Sequence, residues 1–254
     1  MSQSLSMTEV LQMASQGVVV LSPHFDDGCF SLGGLLSTMN TGVLVNVFNR
    51  SMHLPKQSSS DLAGNAESQA SEVRGREDQA FASLCGMRRC QLDGAEPGFF
   101  GRRPNDLSGL AQDVETMDAL VMDQLKRLEN APEQRPWLMA PMAVGRHVNH
   151  HAVHQIVWNH RDALKSAFRL AFYEDLPYAH EPVARMKAVK RFRSQWGHEM
   201  SRYTWSMSWP QKQSLVLMYA SQHRRVPSLM KYRPASLWPL SCHEALWFNP
   251  EDLA

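Results

Sequence analysis

Short apolar runs alternate with longer segments of helical period through the first two thirds of the chain. The runs VVVLS (18–22), LVNVF (44–48) and PWLMAP (136–141) are each followed by such a segment. This alternation is typical of βαβ units, in which helices join parallel strands. It predicts an α/β fold with a mostly parallel sheet, and it places the functional groups where strands end, along one edge of that sheet.

The charge balance gives no reason to expect a highly charged macromolecular partner. Lys and Arg number 26 against 25 Asp and Glu, so the net charge is +1, which favours neither nucleic acid nor an anionic membrane. No apolar run approaches the roughly 18 residues of a membrane span, and the N-terminus lacks a basic segment followed by an apolar one. We therefore expect no membrane span and a cytoplasmic location. The four cysteines form no CxxC pair, which argues against a cysteine zinc site.

The pattern becomes less regular after Pro182. KAVKRFR (187–193) alternates like an edge strand, PQKQSLVLMYASQ (210–222) is typical of a helix, and HEALWFN (243–249) is typical of a final strand. The basic residues around 185–196 could bind nucleic acid, but Lys and Arg also protect edge strands, which is the interpretation we adopt. With no long linker, we expect a single domain over residues 1–254 with a less regular C-terminal third.

Three ionisable groups, His24, Asp26 and Asp27, stand between the first apolar run and the next helical segment. Buried charges are costly unless they are paired or bound to metal, so a cluster of two carboxylates and an imidazole at a strand end requires an explanation. One alternative is purely structural, because an aspartate could cap the helix while His24 is hydrogen-bonded in the loop.

A second cluster lies at GRHVNHHAVH (145–154), again where a strand ends and a helix begins. It holds four of the chain's 11 histidines: His147, His150, His151 and His154. Two clusters at equivalent strand ends are what a discontinuous metal site requires, and His24, Asp27 and one of these histidines would form an N, O, N set with an open position for water. Asp26 could then act as general base, and a further imidazole could stabilise an oxyanion. The pattern therefore indicates hydrolysis of an amide or ester.

Both motifs resemble those of the PIG-L (LmbE-like) zinc-dependent N-deacetylases. SPHFDDGCFSLGG (22–34) is similar to the family's PHxDD motif, in the SPHLDDA form with a following LGG that is found in a bacterial branch, and HVNH (147–150) is similar to HxDH. Further segments that resemble the same branch are REDQAFASLCGM (76–87), YEDLPYA (173–179) and KQSLVLMYASQ (212–222). The resemblance thus extends over nearly the whole chain.

This resemblance implies a Rossmann-like three-layer sandwich and removal of an N-acyl group, usually acetyl, from an amino sugar or a glycosylated small molecule. His24, Asp27 and His150 would bind one Zn²⁺ per chain, although the same ligands also accept Fe²⁺ or another divalent ion. Asp26 would be the general base, and His147 the imidazole at the tetrahedral intermediate. The partner is then a small N-acylated sugar or glycoconjugate rather than a nucleic acid.

The sequence departs from the family pattern at three positions. Phe25 stands where many members have proline, and Gly28 where many have glutamate; neither removes a metal ligand. Asn149 replaces the aspartate of HxDH. An amide can hold geometry but stabilises an imidazolium less than a carboxylate does, so we expect Asn149 to lower activity or the working pH of His147.

Other polar residues near the expected strand ends are candidates for substrate contact, with a solvated helix face, capping or loop hydrogen bonds as the alternative. They are Arg50, Arg74, Glu77, Asp78, Glu174 and Asp175. His154 lies one helical turn after His150 and, with Asn149, is expected to support the metal ligands rather than bind the metal.

Two other functions fit parts of the pattern. An iron(II) oxygenase also uses two histidines and a carboxylate, and His24, Asp26 and a distant histidine imitate that set, but those enzymes usually have a β-barrel scaffold. A degenerate family member that binds a sugar or a partner without catalysis is the other alternative, and Asn149 is the feature that encourages it.

Overall fold

The computed structural model describes residues 2–52, 66–129, 134–222, 230–232 and 241–253. Its strands are β1 (Gln3–Ser4), β2 (Val18–Ser22), β3 (Val43–Asn46), β4 (Arg88–Gln91), β5 (Trp137–Pro141), β6 (Arg169–Tyr173), β7 (Ser201–Ser208) and β8 (Ser241–Phe248). Its helices are α1 (Met7–Gln16), α2 (Asp27–Met39), α3 (Ala66–Leu84), α4 (Leu110–Lys126), α5 (Val148–Asn159), α6 (Arg161–Ala167), α7 (Pro182–Trp196) and α8 (Trp209–Leu217).

The strands form one mixed sheet in the order β1-β7-β8-β6-β5-β2-β3-β4. The stretch from β6 to β4 is entirely parallel, whereas β8 runs antiparallel to both β6 and β7. Helices cover both sides. The predicted α/β class with a mostly parallel sheet is therefore confirmed, and this is not the β-barrel scaffold typical of the iron(II) oxygenases considered above.

The strand order reverses between β2 and β5, which are neighbours in the sheet but distant in sequence. Both strands are buried along their whole length. In doubly wound sheets, ligands bind at this reversal, outside the carboxyl ends of the strands, because the connecting loops diverge there and leave a crevice. Residues 23–27 follow β2 and residues 142–147 follow β5, so both sequence clusters open onto this crevice.

Two glycines allow α2 to lie very close to its neighbours. A Cβ atom on Gly34 would approach Sδ of Met207 to 2.5 Å, and one on Gly33 would lie 3.3 Å from Leu215 of α8. The amides of Gly34 and Leu35 donate to the buried carboxylate of Glu244, which is also paired with Lys212. The close approach explains the LGG sequence and fixes the helix that begins at Asp27.

The edge strand predicted at 187–193 is wrong, because these residues belong to α7. Pro182 stands in the first turn of the helix, where its missing N–H costs nothing. Ala188, Phe192 and Trp196 recur every four residues and face the core, where the rings of Phe192 and Phe172 lie 5.1 Å apart. The basic residues of this segment occupy a helix surface and do not protect a sheet edge.

Other boundaries also differ from the sequence interpretation. The sequence pattern predicts one helix from His150 to Phe168, but the structure divides this segment into α5 and α6 at His160, whose backbone leaves the helical region. The alternating pattern did not predict α1, which begins with a capping box between Ser6 and Glu9, or the half-exposed strand β7. No helix in the described part of the chain is both long and apolar enough to cross a membrane.

Glu174 connects three elements on the antiparallel side of the sheet. Its buried carboxylate accepts hydrogen bonds from Arg185 of α7, Arg202 of β7 and Trp247 of β8, at 2.7 to 3.1 Å. Burial alone would raise the pKa of Glu174, but the two arginines outweigh it and hold the pKa at about 2, below its ordinary 4.5. The ion-pair network therefore stabilises the fold only while Glu174 is ionised.

We predict that Glu174→Gln removes a pH-dependent part of the stability. A pKa lowered on folding contributes stability above the unfolded value of 4.5, worth roughly 3 kcal/mol, which is lost as the pH falls toward 2. The difference in unfolding free energy between parent and variant should therefore shrink by about 2 kcal/mol between pH 7 and pH 3. Chemical denaturation at both pH values measures it, with the exposed Glu72→Gln as control. A difference that is independent of pH would contradict this account.

Candidate metal centre and its cavity

The loop after β2 is shaped by Ser22. Its hydroxyl donates to the carbonyl of His24 at 2.5 Å and accepts the amide of Gly28 at 2.9 Å. Pro23 accepts the amide of Phe48 from the neighbouring β3 connection. Asp27 then accepts the backbone N–H of His24 through Oδ2, at 2.9 Å. The turn therefore brings His24 and Asp27 to the same side of the loop.

The loop after β5 is held by two polar residues from other elements. Arg191 of α7 donates to the carbonyls of Met142 and Ala143, and Asp175, two residues beyond β6, accepts the amide of Val144 at 2.8 Å. α5 begins at Val148, so His150 lies in its buried first turn. These contacts fix where the histidine cluster enters the crevice.

The two loops place an imidazole–carboxylate–imidazole set together. Oδ2 of Asp27 lies 2.9 Å from Nδ1 of His24 and 3.2 Å from Nε2 of His150. The rings of His24 and His147 are 4.4 Å apart. Donor atoms of His24, His147 and His150 lie within 4.8 Å of one another, as do those of His24, Asp26 and Asp27. Five residues from two distant sequence motifs thus meet at the strand reversal.

The donor set fits a divalent metal ion. Nε2 of His150 is buried and makes no hydrogen bond, although Oδ2 of Asp27 is close to it. The other nitrogen of His150 is held by Oδ1 of Asp175 at 2.7 Å, an arrangement that fixes the ring of a metal-binding histidine. A buried, unpaired nitrogen beside a carboxylate oxygen and a second imidazole offers the N, O, N ligands that zinc and related ions accept.

The protonation states of the cluster follow from burial and mutual contact. Burial opposes ionisation of Asp27, but the facing His150 and His24 outweigh it and lower its pKa well below the ordinary value. Burial also lowers the pKa of His150, yet Asp27 and Asp175 raise it overall to about 10. At His147, burial and the two neighbouring histidines outweigh the opposing effect of Asp27 and lower the pKa well below 6.5. His147 is therefore a neutral imidazole at pH 7.

Asp26 does not cap α2, because its side chain makes no hydrogen bond to the first turn. Its Oδ1 instead accepts from Nη2 of Arg74 at 3.1 Å. The buried Arg74 also donates to Glu96 at 2.6 Å and to the hydroxyl of Ser51 at 2.7 Å. A carboxylate held in this way lies beside the imidazole cluster and remains in the cavity wall.

A cavity of about 700 Å³ opens above the cluster. His24, Asp26, Asp27 and His147 lie in its wall together with charged residues (Arg74, Glu96, Arg102 and Lys231) and aromatic ones (Phe30, Tyr178 and Tyr232). The ring of Tyr178 stands edge-on to His150 at 5.4 Å. It packs directly against Gly145, where a Cβ atom would lie only 2.9 Å from the ring. Such a volume is in the range of small-molecule pockets.

Among the six residues considered for substrate contact, Arg74 lines the cavity and the others do not. Arg50 has its guanidinium 5.0 Å above the ring of Phe99. Glu77 binds the amide and hydroxyl of Ser221, beside the lining residue Gln222. Glu174 belongs to the network described above, and Asp175 orients His150.

Asp78 is fully buried behind the cavity wall. It accepts hydrogen bonds from Asn46, Arg89 and Tyr219 at 2.6 to 2.9 Å. Burial raises its pKa to about 6 despite these donors. Together with Glu77, it attaches α3 to residues 219–222, which continue into the cavity wall.

The two residues expected to support the metal ligands have different surroundings. Oδ1 of Asn149 lies 3.0 Å from Nε2 of His24, so the amide acts on His24 and not on His147 as the sequence hypothesis supposed. His154 bonds through Nδ1 to the carbonyl of Pro141 and accepts from Trp196 through Nε2. It therefore fastens α5 to β5 and α7.

Sequence reasoning missed Glu96, Arg102 and Tyr232, which lie in segments without a periodic pattern.

Sequence comparison finds similarity to a deacetylase. The chain is 33% identical over 168 residues to the 2'-N-acetylparomamine deacetylase of Streptomyces fradiae, a match that covers 63% of this chain and 57% of that protein. The chain thus matches little more than half the length of this curated relative. No protein-family model matches the chain.

Comparison with solved structures finds the same fold among deacetylases. A deacetylase–bog complex from the teicoplanin biosynthesis pathway has a TM-score of 0.58 at 17% identity, covering 91% of this chain and 96% of the other. The zinc-inhibited form of teicoplanin deacetylase Orf2 has a TM-score of 0.56 at 17% identity, with the same coverage. At these identities, the similarity demonstrates a shared α/β fold.

We predict that His150→Ala abolishes stoichiometric metal binding, because it removes a buried nitrogen beside Asp27. The adjacent His151→Ala is the matched control, since its Nε2 faces the carbonyl of Gly145, away from the cluster. Both proteins are loaded with zinc, dialysed and analysed by mass spectrometry for metal per chain. We expect about one ion in the parent and the control. Full retention of the ion by His150→Ala would refute the assignment of His150 as a metal ligand.

Proposed function

We propose that this protein is a metal-dependent hydrolase that removes an N-acyl group, most simply acetyl, from an amino sugar or a glycosylated small molecule. The observation that carries the proposal is Oδ2 of Asp27 lying between His24 and His150, beside the carboxylate of Asp26 in the wall of a substrate-sized cavity. The similarity to a 2'-N-acetylparomamine deacetylase and the fold shared with teicoplanin deacetylases support the same reaction class.

His24, Asp27 and His150 would hold the metal, with zinc as the first choice. When bound, a divalent ion there supplies Lewis acidity toward the acyl oxygen and makes a water molecule easier to ionise. With an ion bound, the three side chains would provide one negative charge and two neutral nitrogens, and His147 and Asp26 would be left to act on the substrate.

Asp26 is the proposed general base. Arg74 holds its Oδ1, which leaves Oδ2 to take the proton of the attacking water. The ion pair also prevents the carboxylate from turning away toward the helix N-terminus. As the carbon–nitrogen bond breaks, the proton on Asp26 passes to the leaving amine, so the products are a free amine and a carboxylate.

His147 is proposed to stabilise the acyl oxygen. Because burial and the neighbouring histidines lower its pKa well below 6.5, it is a neutral imidazole at pH 7 and can donate one N–H to the oxygen as negative charge develops there. In this respect it would act as a hydrogen-bond donor of fixed orientation rather than as an acid.

The walls of the cavity suit a glycosylated substrate. Arg74 and Glu96 place a cation and a carboxylate beside Asp26, where hydroxyl groups of a sugar could bond to both. Tyr178 and Tyr232 provide aromatic surface in the same cavity. A pocket with a few convergent polar groups and aromatic walls is typical of sites for small organic ligands.

We predict that Asp26→Asn lowers the rate of amine release by about 10²- to 10⁴-fold, the usual contribution of a general base. N-acetylated amino sugars and aminoglycosides are incubated with the zinc-loaded protein, and the released primary amine is quantified. Asp162→Asn is the control because its side chain is 85% exposed on α6. Bound metal is measured in each variant, so that loss of the base is separated from loss of the metal.

Undiminished release by Asp26→Asn would contradict the proposed mechanism. A parent protein that binds metal and N-acetylated sugars but releases no amine from any of them would instead favour the non-catalytic alternative.

A further inference from the structure

A buried chain of hydrogen bonds leads from the metal centre to the cavity rim. Nε2 of His24 lies 3.0 Å from Oδ1 of Asn149, and Nδ2 of Asn149 lies 3.3 Å from Oδ2 of Asp113 in α4. Oδ1 of Asp113 in turn accepts from Nη2 of Arg102 at 2.5 Å. Asn149 is completely buried and Asp113 is 4% exposed, so water cannot easily replace these contacts.

Asp113 determines the donor-to-acceptor direction of these hydrogen bonds. The carboxylate of Asp113 is paired with Arg102 and accepts hydrogen bonds, so the NH₂ group of Asn149 must face Asp113 and its carbonyl oxygen must face His24. A carbonyl oxygen also only accepts, and Nε2 of His24 must therefore carry the proton. In the neutral ring that binds a metal, the lone pair is then on Nδ1, which lies 2.9 Å from Oδ2 of Asp27 and belongs to the donor set.

We propose that Asp113 is a positioning residue that acts through Asn149 to keep His24 in the tautomer that can bind metal at Nδ1. A carboxylate therefore still acts on His24, but through one intervening side chain. Asn149 transmits to His24 the hydrogen-bond direction that Asp113 sets. The inference rests on the proposed metal centre and is independent of which acylated substrate the protein cleaves.

The same geometry explains why an aspartate at position 149 would be unfavourable in this chain. Its carboxylate would lie about as far from Asp113 as the present 3.3 Å contact, and two buried carboxylates at that distance repel each other strongly. Arg102 neutralises one of them, because its guanidinium already bonds Asp113 with both terminal nitrogens. The pair at positions 113 and 149 therefore accommodates one carboxylate and one amide.

If Asp113 had a purely structural role, its replacement would have a different effect. Asp113 also fastens Arg102, and with it the loop whose Pro104 carbonyl accepts the amide of Val148. If that were its whole purpose, replacing Asp113 would alter stability and loop order but would leave metal affinity unchanged once the protein is folded. Metal affinity and its rescue by exchanging the two side chains therefore distinguish the two roles.

The test compares Asp113→Asn, Asn149→Asp and the double variant that exchanges the two side chains. Zinc dissociation constants are measured by competition with a chelator, and stability by chemical denaturation of the metal-free proteins. Asp118→Asn is the control, because Asp118 lies on the same helix and pairs with His160 on the surface. None of these substitutions changes a metal ligand or Asp26.

We expect Asp113→Asn to raise the zinc dissociation constant about 10-fold or more, the usual effect of replacing an outer residue that orients a metal-binding histidine. Asn149→Asp alone should shift unfolding to lower denaturant concentration. The exchange variant should recover both properties, with a dissociation constant within about threefold of the parent. The control should match the parent in both measurements.

Unchanged zinc affinity in Asp113→Asn, or an exchange variant that binds zinc no better than Asp113→Asn, would overturn the inference. A parent protein that does not bind zinc at all would instead overturn the proposed metal centre, so the two failures can be told apart.

Discussion

The site depends on one carboxylate oxygen that two imidazoles share across the middle of the sheet. Asp27 follows β2 and His150 follows β5, and their side chains meet because these two strands are adjacent where the strand order reverses. Without an ion or a proton between them, a buried carboxylate and unpaired imidazole nitrogens would be costly. The fold therefore creates a position that is most favourable when a cation occupies it.

The surrounding residues hold three side chains of this arrangement, each in a specific direction. Asp175 holds the far side of His150, and Arg74 holds Asp26. The chain through Asn149 and Asp113 holds the far side of His24. Each of these partners comes from a different element, so the geometry of the centre depends on the packing of α3, α4 and the β6 connection around the strand ends. The same partners also separate the roles of two adjacent carboxylates, because Asp27 is directed to the imidazoles and Asp26 to the cavity.

The parallel part of the sheet and the two clusters could be predicted from the sequence because their signals are local. An apolar run such as VVVLS defines a buried strand by itself, and the residues that follow it must lie at the sheet edge. α7 was mistaken for a strand because its basic residues interrupt the apolar pattern, although Ala188, Phe192 and Trp196 have helical spacing. The buried face of a helix rich in charge is determined by what it packs against, here Phe172, and that partner lies far away in the sequence.

The walls of the cavity and the partner of Asn149 could not be predicted for the same reason. Glu96, Arg102 and Tyr232 come from irregular segments whose positions depend on tertiary contacts, and Asp113 looks like an ordinary polar residue of an amphipathic helix. Sequence pattern indicated that Asn149 matters but attached it to His147, its neighbour in the chain, whereas the packing of α5 turns its amide to His24.

In the proposed site, His24, Asp27 and His150 bind one metal ion while Asp26 and His147 act on the substrate. This arrangement can be checked in a crystal structure of the zinc-loaded protein, with anomalous diffraction recorded at the zinc edge. We expect one anomalous peak within about 2.0 to 2.2 Å of Nδ1 of His24, a carboxylate oxygen of Asp27 and Nε2 of His150. A peak coordinated by Asp26 or His147 in place of any of these three, or located away from the strand reversal, would contradict it.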